Sequence, residues 1–387
     1  MKILYASTVF PHARDQTRGT YNRELVAGLQ ALGHDVRVVA PVPWRQSRGS
    51  SPSPDDPPNL PIARPTYWYL PRLAPRHLGT RLFAAMRRGV RQIARGWTPD
   101  LLISYWLYPD GWAAQKLARD VGAPHVTIVG GSDVLQLPHE ARRGPLARSV
   151  LRDCDLALAV SQQLVDAIGQ LDSTTAARQW SQGIRTSVLH DGDQAEARRE
   201  LNWDRILPHW PSDEPVFVWV GRMVGVKALP RLLEATQLAG QSSPLRLVVV
   251  GDGESHESTV ELARSMGLGD RVHFAGARPP RELGHWYRAG DAVVLSSDSE
   301  GLPNVLREAL ACGRPFASTH VGGIAEIGDE SCRVLAPPGD AVALAEAMRT
   351  VLQPSYRKGA AAYPVHSWVD AASELLSAVE TRDAVSA

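Results

Sequence analysis

Short apolar runs bounded by turn residues alternate along the chain with longer segments in which apolar positions recur every three to four residues. In the first half the runs KILYAS, DVRVVAP, DLLISYW, HVTIVGG and DLALAVS have strand length, and YNRELVAGLQALG between the first two has the helical period. A second series begins at PVFVWVGR and continues through LRLVVVGDG, RVHFAG, DAVVLSS and RPFAST, separated by LPRLLEATQLA, STVELARSMG and NVLREALACG. Such runs belong to strands covered on both faces, so each series predicts a parallel sheet flanked by helices. The expected fold class is α/β, with two Rossmann-like doubly wound parallel-sheet domains facing across a cleft, because ligands of these sheets bind beyond the carboxyl ends of the strands.

The polar, proline-bearing stretch VLHDGDQAEARRELNWDRILPHWPSDEP places the junction between about 180 and 215. Residues 41–72, rich in Pro, Ser and aromatics, have no period and read as a loop, either a mobile lid or an insertion. In APRHLGTRLFAAMRRGVRQIARGW, Leu78, Leu82, Met86, Val90 and Ile93 share one helical face while Arg81, Arg87, Arg88, Arg91 and Arg95 lie largely elsewhere. Two readings stay open for this segment: a helix packed on its sheet with a solvated basic face, or one lying on an anionic membrane surface.

Composition narrows the picture. A chain of 387 residues that is 44% hydrophobic suits two ordinary domains, each with its own core. Forty-two basic against 41 acidic residues leave a net charge of +1, so bulk electrostatics imply no nucleic-acid partner. Cys154, Cys312 and Cys332 are odd in number and lack metal-ligand spacing, which predicts reduced thiols, no zinc site and a cytoplasmic protein. The start MKILYASTVF turns polar too early for a signal peptide, and no apolar stretch approaches a membrane span.

The candidate chemistry gathers in the second series. In WVGRMVGVK a strand ends at Val220 and its loop delivers Arg222 and Lys227. Alone these are ordinary surface charges; together, a forked guanidinium and a compact ammonium suit a diphosphate. In DSEGLPNVLREALACGRP, Pro303 suits a first helical turn, Gly313 suits a C-terminal stop, and Val305, Leu306, Ala309 and Leu310 form the buried stripe. The helix start just after Glu300, Gly301 and Leu302, with Pro303 and Asn304 in its first turn, offers free amides to phosphate oxygens. Glu308, about 7 Å further along the axis, is placed to accept hydrogen bonds from ribose hydroxyls, and Glu300 to take sugar hydroxyls on the other side of the phosphate.

These motifs resemble those of the retaining family-4 glycosyltransferases of GT-B fold. The likeness spans nearly the whole chain: GRMVGVK and SSDSEGLPNVLREALACGRP in the second half, STVFPHARDQTRGTYNRELVAGLQALGHDVRVVAP at the first βαβ unit, and TIVGGSDV, LALAVSQQL and VLHDGD where later family motifs belong. The resemblance implies that Arg222 and Lys227 bind a donor diphosphate, that Glu308 binds the ribose and that Glu300 contacts the transferred sugar. It implies an acceptor-side domain at 1–195, onto which a C-terminal helix at about 366–387 packs back, and a donor domain at 196–365. It also implies no metal and no other cofactor. The chain departs from the family pattern at Gly130, where a histidine is usual, at Arg18-Gly19 in place of Gly-Gly, at Ala228 in place of Gly, and at Asp191-Gly192-Asp193 in the hinge motif. Gly19 is expected to approach the donor or acceptor through its backbone.

On the acceptor side the candidates are His12, Gly130, Gly131, Ser132 and Asp133; Ser132 and Asp133 either line the site or cap the helix that follows. His34 reads as structural. The expected reaction is retaining transfer from a UDP- or GDP-sugar to a sugar or lipid-linked sugar hydroxyl, in envelope or exported polysaccharide or glycolipid synthesis, with possible peripheral contact at the inner face of an anionic membrane. Two alternatives are a nucleotide-sugar epimerase and a catalytically silent nucleotide-sugar binding protein. A dehydrogenase is disfavoured, because GDGESH lacks the third glycine of the dinucleotide fingerprint.

Overall fold

The computed structural model describes residues 1–15, 18–46, 56–57, 59–69, 77–211 and 213–386. The chain divides into two compact units, 1–183 with 366–387, and 184–365. The division falls at Gly183–Ile184 rather than at the expected 195–196, because the polar segment that follows folds with the second unit: the Asp193 side chain caps the helix Gln194–Glu200, whose Gln194 and Arg198 bond to the Ala289 carbonyl.

The first unit is built on a parallel sheet. Its strands are β1 (Lys2–Ala6), β2 (Asp35–Val39), β4 (Ile62–Ala63), β6 (Leu101–Tyr105), β7 (His125–Val129), β8 (Leu156–Ala159) and β9 (Ala177–Gln179), in the order β4-β2-β1-β6-β7-β8-β9. The central strands are buried along their whole length, as runs without alternation require. β3 (Val42–Pro43) pairs with β5 (Thr66–Tyr67), so the 41–72 segment contains strands that its aperiodic composition conceals; its residues 47–55, 58 and 70–72 lie outside the described residues. The helix Trp368–Ser386 belongs to this unit and packs on the helix Thr20–Ala31, where Gly28 leaves no room for a side chain against the Trp368 carbonyl.

The basic segment forms the helix Leu78–Ile93. Leu82, Ala85 and Met86 are fully buried in a cluster with Leu4, Val39 and Leu117, so the apolar stripe is already covered by the unit's own sheet and helices. The stripe is thus packed on the unit's own sheet and helices, and only its basic face is left to other contacts. Arg81, Arg87, Arg88, Arg91 and Arg95 remain exposed, with Arg88 donating to the Thr66 carbonyl at 2.7 Å and Arg87 paired to Asp120 at 3.2 Å. No described helix is long and apolar enough to cross a membrane.

The second unit holds six parallel strands, β10 (Val216–Val220), β11 (Arg246–Val250), β12 (Val272–Gly276), β13 (Ala292–Leu295), β14 (Phe316–Thr319) and β15 (Arg333–Ala336), in the order β12-β11-β10-β13-β14-β15. In each sheet the strand order reverses beside the first strand, between β1 and β6 and between β10 and β13. Loops leaving the carboxyl ends of such a strand pair diverge and open a crevice for a ligand.

Candidate active site

In the second unit the two candidate loops leave the strands of that pair. After β10 the chain carries Arg222 and Lys227, and after β13 it carries Glu300 to Pro303. Seventy-three positions apart, Lys227 Nζ and Glu300 Oε1 meet at 2.5 Å, with side chains 19% and 11% exposed. Ser297 Oγ donates to the same Glu300 oxygen at 2.6 Å, and Ser296 Oγ donates to the Lys227 carbonyl at 2.8 Å, so the loops are tied together. Arg222 is exposed, and among the described residues its guanidinium makes no hydrogen bond or ion pair. Ala228 holds a left-handed conformation at φ 47°, one that costs an L-residue about 1–2 kcal/mol and explains why glycine suits this position.

The loop 300–303 is also held by the turn that follows β14. Gly322, at φ 56°, lies so close that a Cβ would sit 1.9 Å from the Glu300 carbonyl oxygen, and the Gly323 amide donates to the Gly301 carbonyl at 2.7 Å. The helix begins at Asn304, one residue later than expected: Pro303 is its N-cap, with extended ψ 112°, instead of a first-turn residue. Asn304 Oδ1 is buried without a partner among the described residues. Gly313 ends the helix at φ 65°.

Glu308 projects from the second turn, and Tyr287 donates its hydroxyl to Oε2 at 2.7 Å. Burial raises the Glu308 pKa, opposed by that hydrogen bond and by the charges of Arg307 and Arg185. Tyr287 is fully buried and orients the carboxylate. Neither Tyr287 nor Gly322 stood out in the sequence, where one is an aromatic in a helical stripe and the other a turn glycine.

Gly19 belongs to the first unit, and the other candidate donor residues belong to the second. Gly19 precedes the helix Thr20–Ala31 at φ 73°, and a Cβ there would lie 2.3 Å from the Val9 carbonyl oxygen. His12 follows β1 on the same loop and is buried. Burial lowers its pKa; Asp15 opposes this, and Arg64, Arg18 and Arg14 add to the lowering. His34 lies 3.0 Å from the N-terminal amine through Nδ1, a structural contact.

Gly130, Gly131, Ser132 and Asp133 follow β7. Asp133 does not cap through an ordinary N-cap position; it lies inside the short helix Ser132–Leu135, and its Oδ1 accepts the Gly130 and Gly131 amides at 3.1 and 3.0 Å. Its other oxygen is buried without a partner among the described residues, and burial pushes its pKa up to about 6. Ser132 is exposed. The absence of a side chain at 130 has a steric cause: a Cβ there would lie 2.4 Å from the Tyr105 hydroxyl, which shares a hydrogen bond with Tyr21.

Two family models match the chain, Glycosyl transferase 4-like domain over residues 18–179 and Glycosyl transferases group 1 over residues 214–354. The chain belongs to the family-4 glycosyltransferases. It is 29% identical over 370 residues to a putative teichuronic acid biosynthesis glycosyltransferase, TuaC, of Bacillus subtilis, an alignment covering 90% of this chain and 88% of that one. It is 31% identical over 305 residues to a D-inositol 3-phosphate glycosyltransferase of Acidothermus cellulolyticus, covering 71% of this chain and 64% of that one. Among solved structures, sucrose-phosphate synthase from Thermosynechococcus elongatus superposes with TM-score 0.76 at 22% identity, covering 99% of both chains. Anabaena HepE, solved in complex with UDP, gives 0.75 at 16% identity, covering 98% of this chain and all of that one. The glycosyltransferase therefore has the two-domain GT-B fold. The relatives support transferase activity and lend none to the epimerase or the silent binder.

Proposed function

We propose that this glycosyltransferase moves a sugar from a UDP- or GDP-sugar to a hydroxyl acceptor with retention of anomeric configuration and without a metal. The observation that supports this best is the meeting of Lys227 and Glu300 on the switch-point loops, beside a free Arg222 and ahead of Glu308 on the next helix. Arg222, Lys227 and the amides at Asn304 would hold the donor diphosphate. As the anomeric carbon becomes oxocarbenium-like, charge builds on the leaving diphosphate, and fixed donors stabilise it there more than in the ground state. Lys227 would exchange its carboxylate partner for phosphate, leaving Glu300 to accept sugar hydroxyls. Glu308, oriented by Tyr287, would take the ribose hydroxyls.

The names of similar proteins agree with this reading. HepE is described in complex with UDP-glucose, and TuaC by a role in teichuronic acid biosynthesis, which favours envelope or exported polysaccharide or glycolipid synthesis here. Peripheral contact with an anionic membrane at the cytoplasmic side is part of the proposal, through the exposed arginine face of the helix Leu78–Ile93. Flotation with anionic liposomes that leaves the protein unbound at low salt would exclude it. Donor turnover tests the reaction: free nucleoside diphosphate should appear in chelator as fast as with added Mg²⁺, and the transferred sugar should keep its anomeric proton coupling. A new nucleotide-sugar, or an inverted product, would contradict the proposal.

A further inference from the structure

A second site lies wholly within the first unit. At the carboxyl ends of β1, β2 and β3 a pocket is lined by Thr8, His12, Arg18, Gln46, Arg64 and Tyr67, together with apolar residues. Its charged lining is cationic, with no carboxylate. Arg64 has a side chain only 6% exposed; it is fixed by Asp56 at 2.8 Å and the Pro11 carbonyl at 3.1 Å, and its Nε is buried with no partner among the described residues. Arg18 is exposed, and among the described residues its guanidinium has no hydrogen bond or ion pair. Asp15 accepts the Arg18 backbone amide and Asp110 is tied to Ser7 and Thr8, so neither carboxylate lines the pocket, although Asp15 acts on His12 and Asp110 on Arg18 through their charges.

Arg64–Asp56 is a neutral pair, which leaves Arg18 as the pocket cation whose guanidinium has no ion-pair partner among the described residues. The interior has room for about one water, so it admits a single oxygen of a ligand group, with the rest of that group outside, and not a sugar ring. A buried unpaired guanidinium N–H is costly unless an acceptor reaches it. We propose that this pocket takes an oxyanion, a carboxylate or phosphate group carried by the acceptor, gripped by Arg18 with His12 and the free edge of Arg64. The word acceptor rests on the transferase reading above; the anion site stands on the first unit alone. Arg18 is then a specificity residue, and acceptors bearing such a group are preferred over their neutral counterparts.

The test uses the full chain. Inorganic phosphate, glucuronate and neutral glucose are titrated separately while the His12 imidazole is followed by NMR, assigned with His12→Gln. At least one anion should shift His12 saturably in the millimolar range, glucose should not, and the stronger anion tells phosphate from carboxylate. Arg18→Gly, at an exposed position, should weaken that binding at least fivefold while UDP affinity, measured on the same sample, is unchanged. The proposal is overturned if neither anion saturates, if Arg18→Gly binds equally well, or if the variant loses UDP in parallel, which would put Arg18 in the donor site. Anion binding by a protein that ignores UDP and GDP would support this site and remove the proposed nucleotide-sugar donor.

Discussion

Replacing Glu300 by Gln tests the exchange of partners at Lys227. The two groups stand 2.5 Å apart with side chains mostly out of water. At an effective dielectric of about 20, such a pair attracts by roughly 4 kcal/mol at 4 Å, and desolvation offsets much of this. The net worth is that of a charged hydrogen bond, about 1.5–3 kcal/mol. A diphosphate that recruits Lys227 has to displace this interaction. Gln keeps the shape and can still accept from Ser297, yet lacks the charge, so bare UDP or GDP should bind the variant about 1–2 kcal/mol more tightly, roughly 5- to 30-fold in Kd. Donor sugar contacts are lost at the same time, so turnover should fall by on the order of 100-fold, about 2.7 kcal/mol. Titration calorimetry near 0.1 M salt, paired with a turnover assay, reads both. An unchanged or weaker nucleotide Kd, or turnover at the wild-type rate, would refute the exchange.

Tyr287→Phe removes the hydroxyl that Glu308 Oε2 accepts and should weaken nucleotide binding by about 1 kcal/mol, roughly fivefold, without changing the fold by circular dichroism; equal Kd values would remove Tyr287 from the site. Gly130→Ala forces a methyl against the Tyr105 hydroxyl and should destabilise the chain by about 1–3 kcal/mol in urea unfolding, partly relieved when Tyr105→Phe is added; additive effects would show that the two do not meet. His125 is buried, bonded through Nε2 to Ser104, and burial holds its pKa at about 4 against 6.5 when unfolded. Its neutral form therefore favours the folded state above pH 6.5, and about 2 kcal/mol of stability is lost as pH falls from 7 to 5. Asp133, raised to about 6, acts in the opposite sense over this range, so the check is differential: His125→Gln should lose stability less steeply toward pH 5 than the wild type, and parallel pH curves would contradict the assignment.

Much of the architecture was legible because it is local. Runs such as VFVWV and LVVV are strands buried on both faces, and no alternative element accommodates them. Three of the edge strands were not legible: β4 has two residues, β9 is the half-exposed Ala-Arg-Gln, and β15 follows a turn-rich segment, so pairing with a neighbour makes each of them a strand. At the site, the types and spacing of Arg222, Lys227, Glu300 and Glu308 were readable. Their state was not, since the Lys227–Glu300 pair and the Tyr287–Glu308 bond join residues 73 and 21 positions apart. Gly130 illustrates the same limit. Its meaning depends on Tyr105, which reaches it from the neighbouring strand β6.

The central claim, that the second unit holds a nucleotide-diphosphate sugar through these residues, is tested most directly by calorimetric titration of the full chain with UDP, GDP and their sugars in the presence of chelator, alongside Arg222→Ala and Glu308→Ala. One nucleotide should bind with micromolar affinity and lose at least tenfold in each variant, about 1.4 kcal/mol. Failure of every nucleotide to bind, or binding that both variants retain in full, would contradict it.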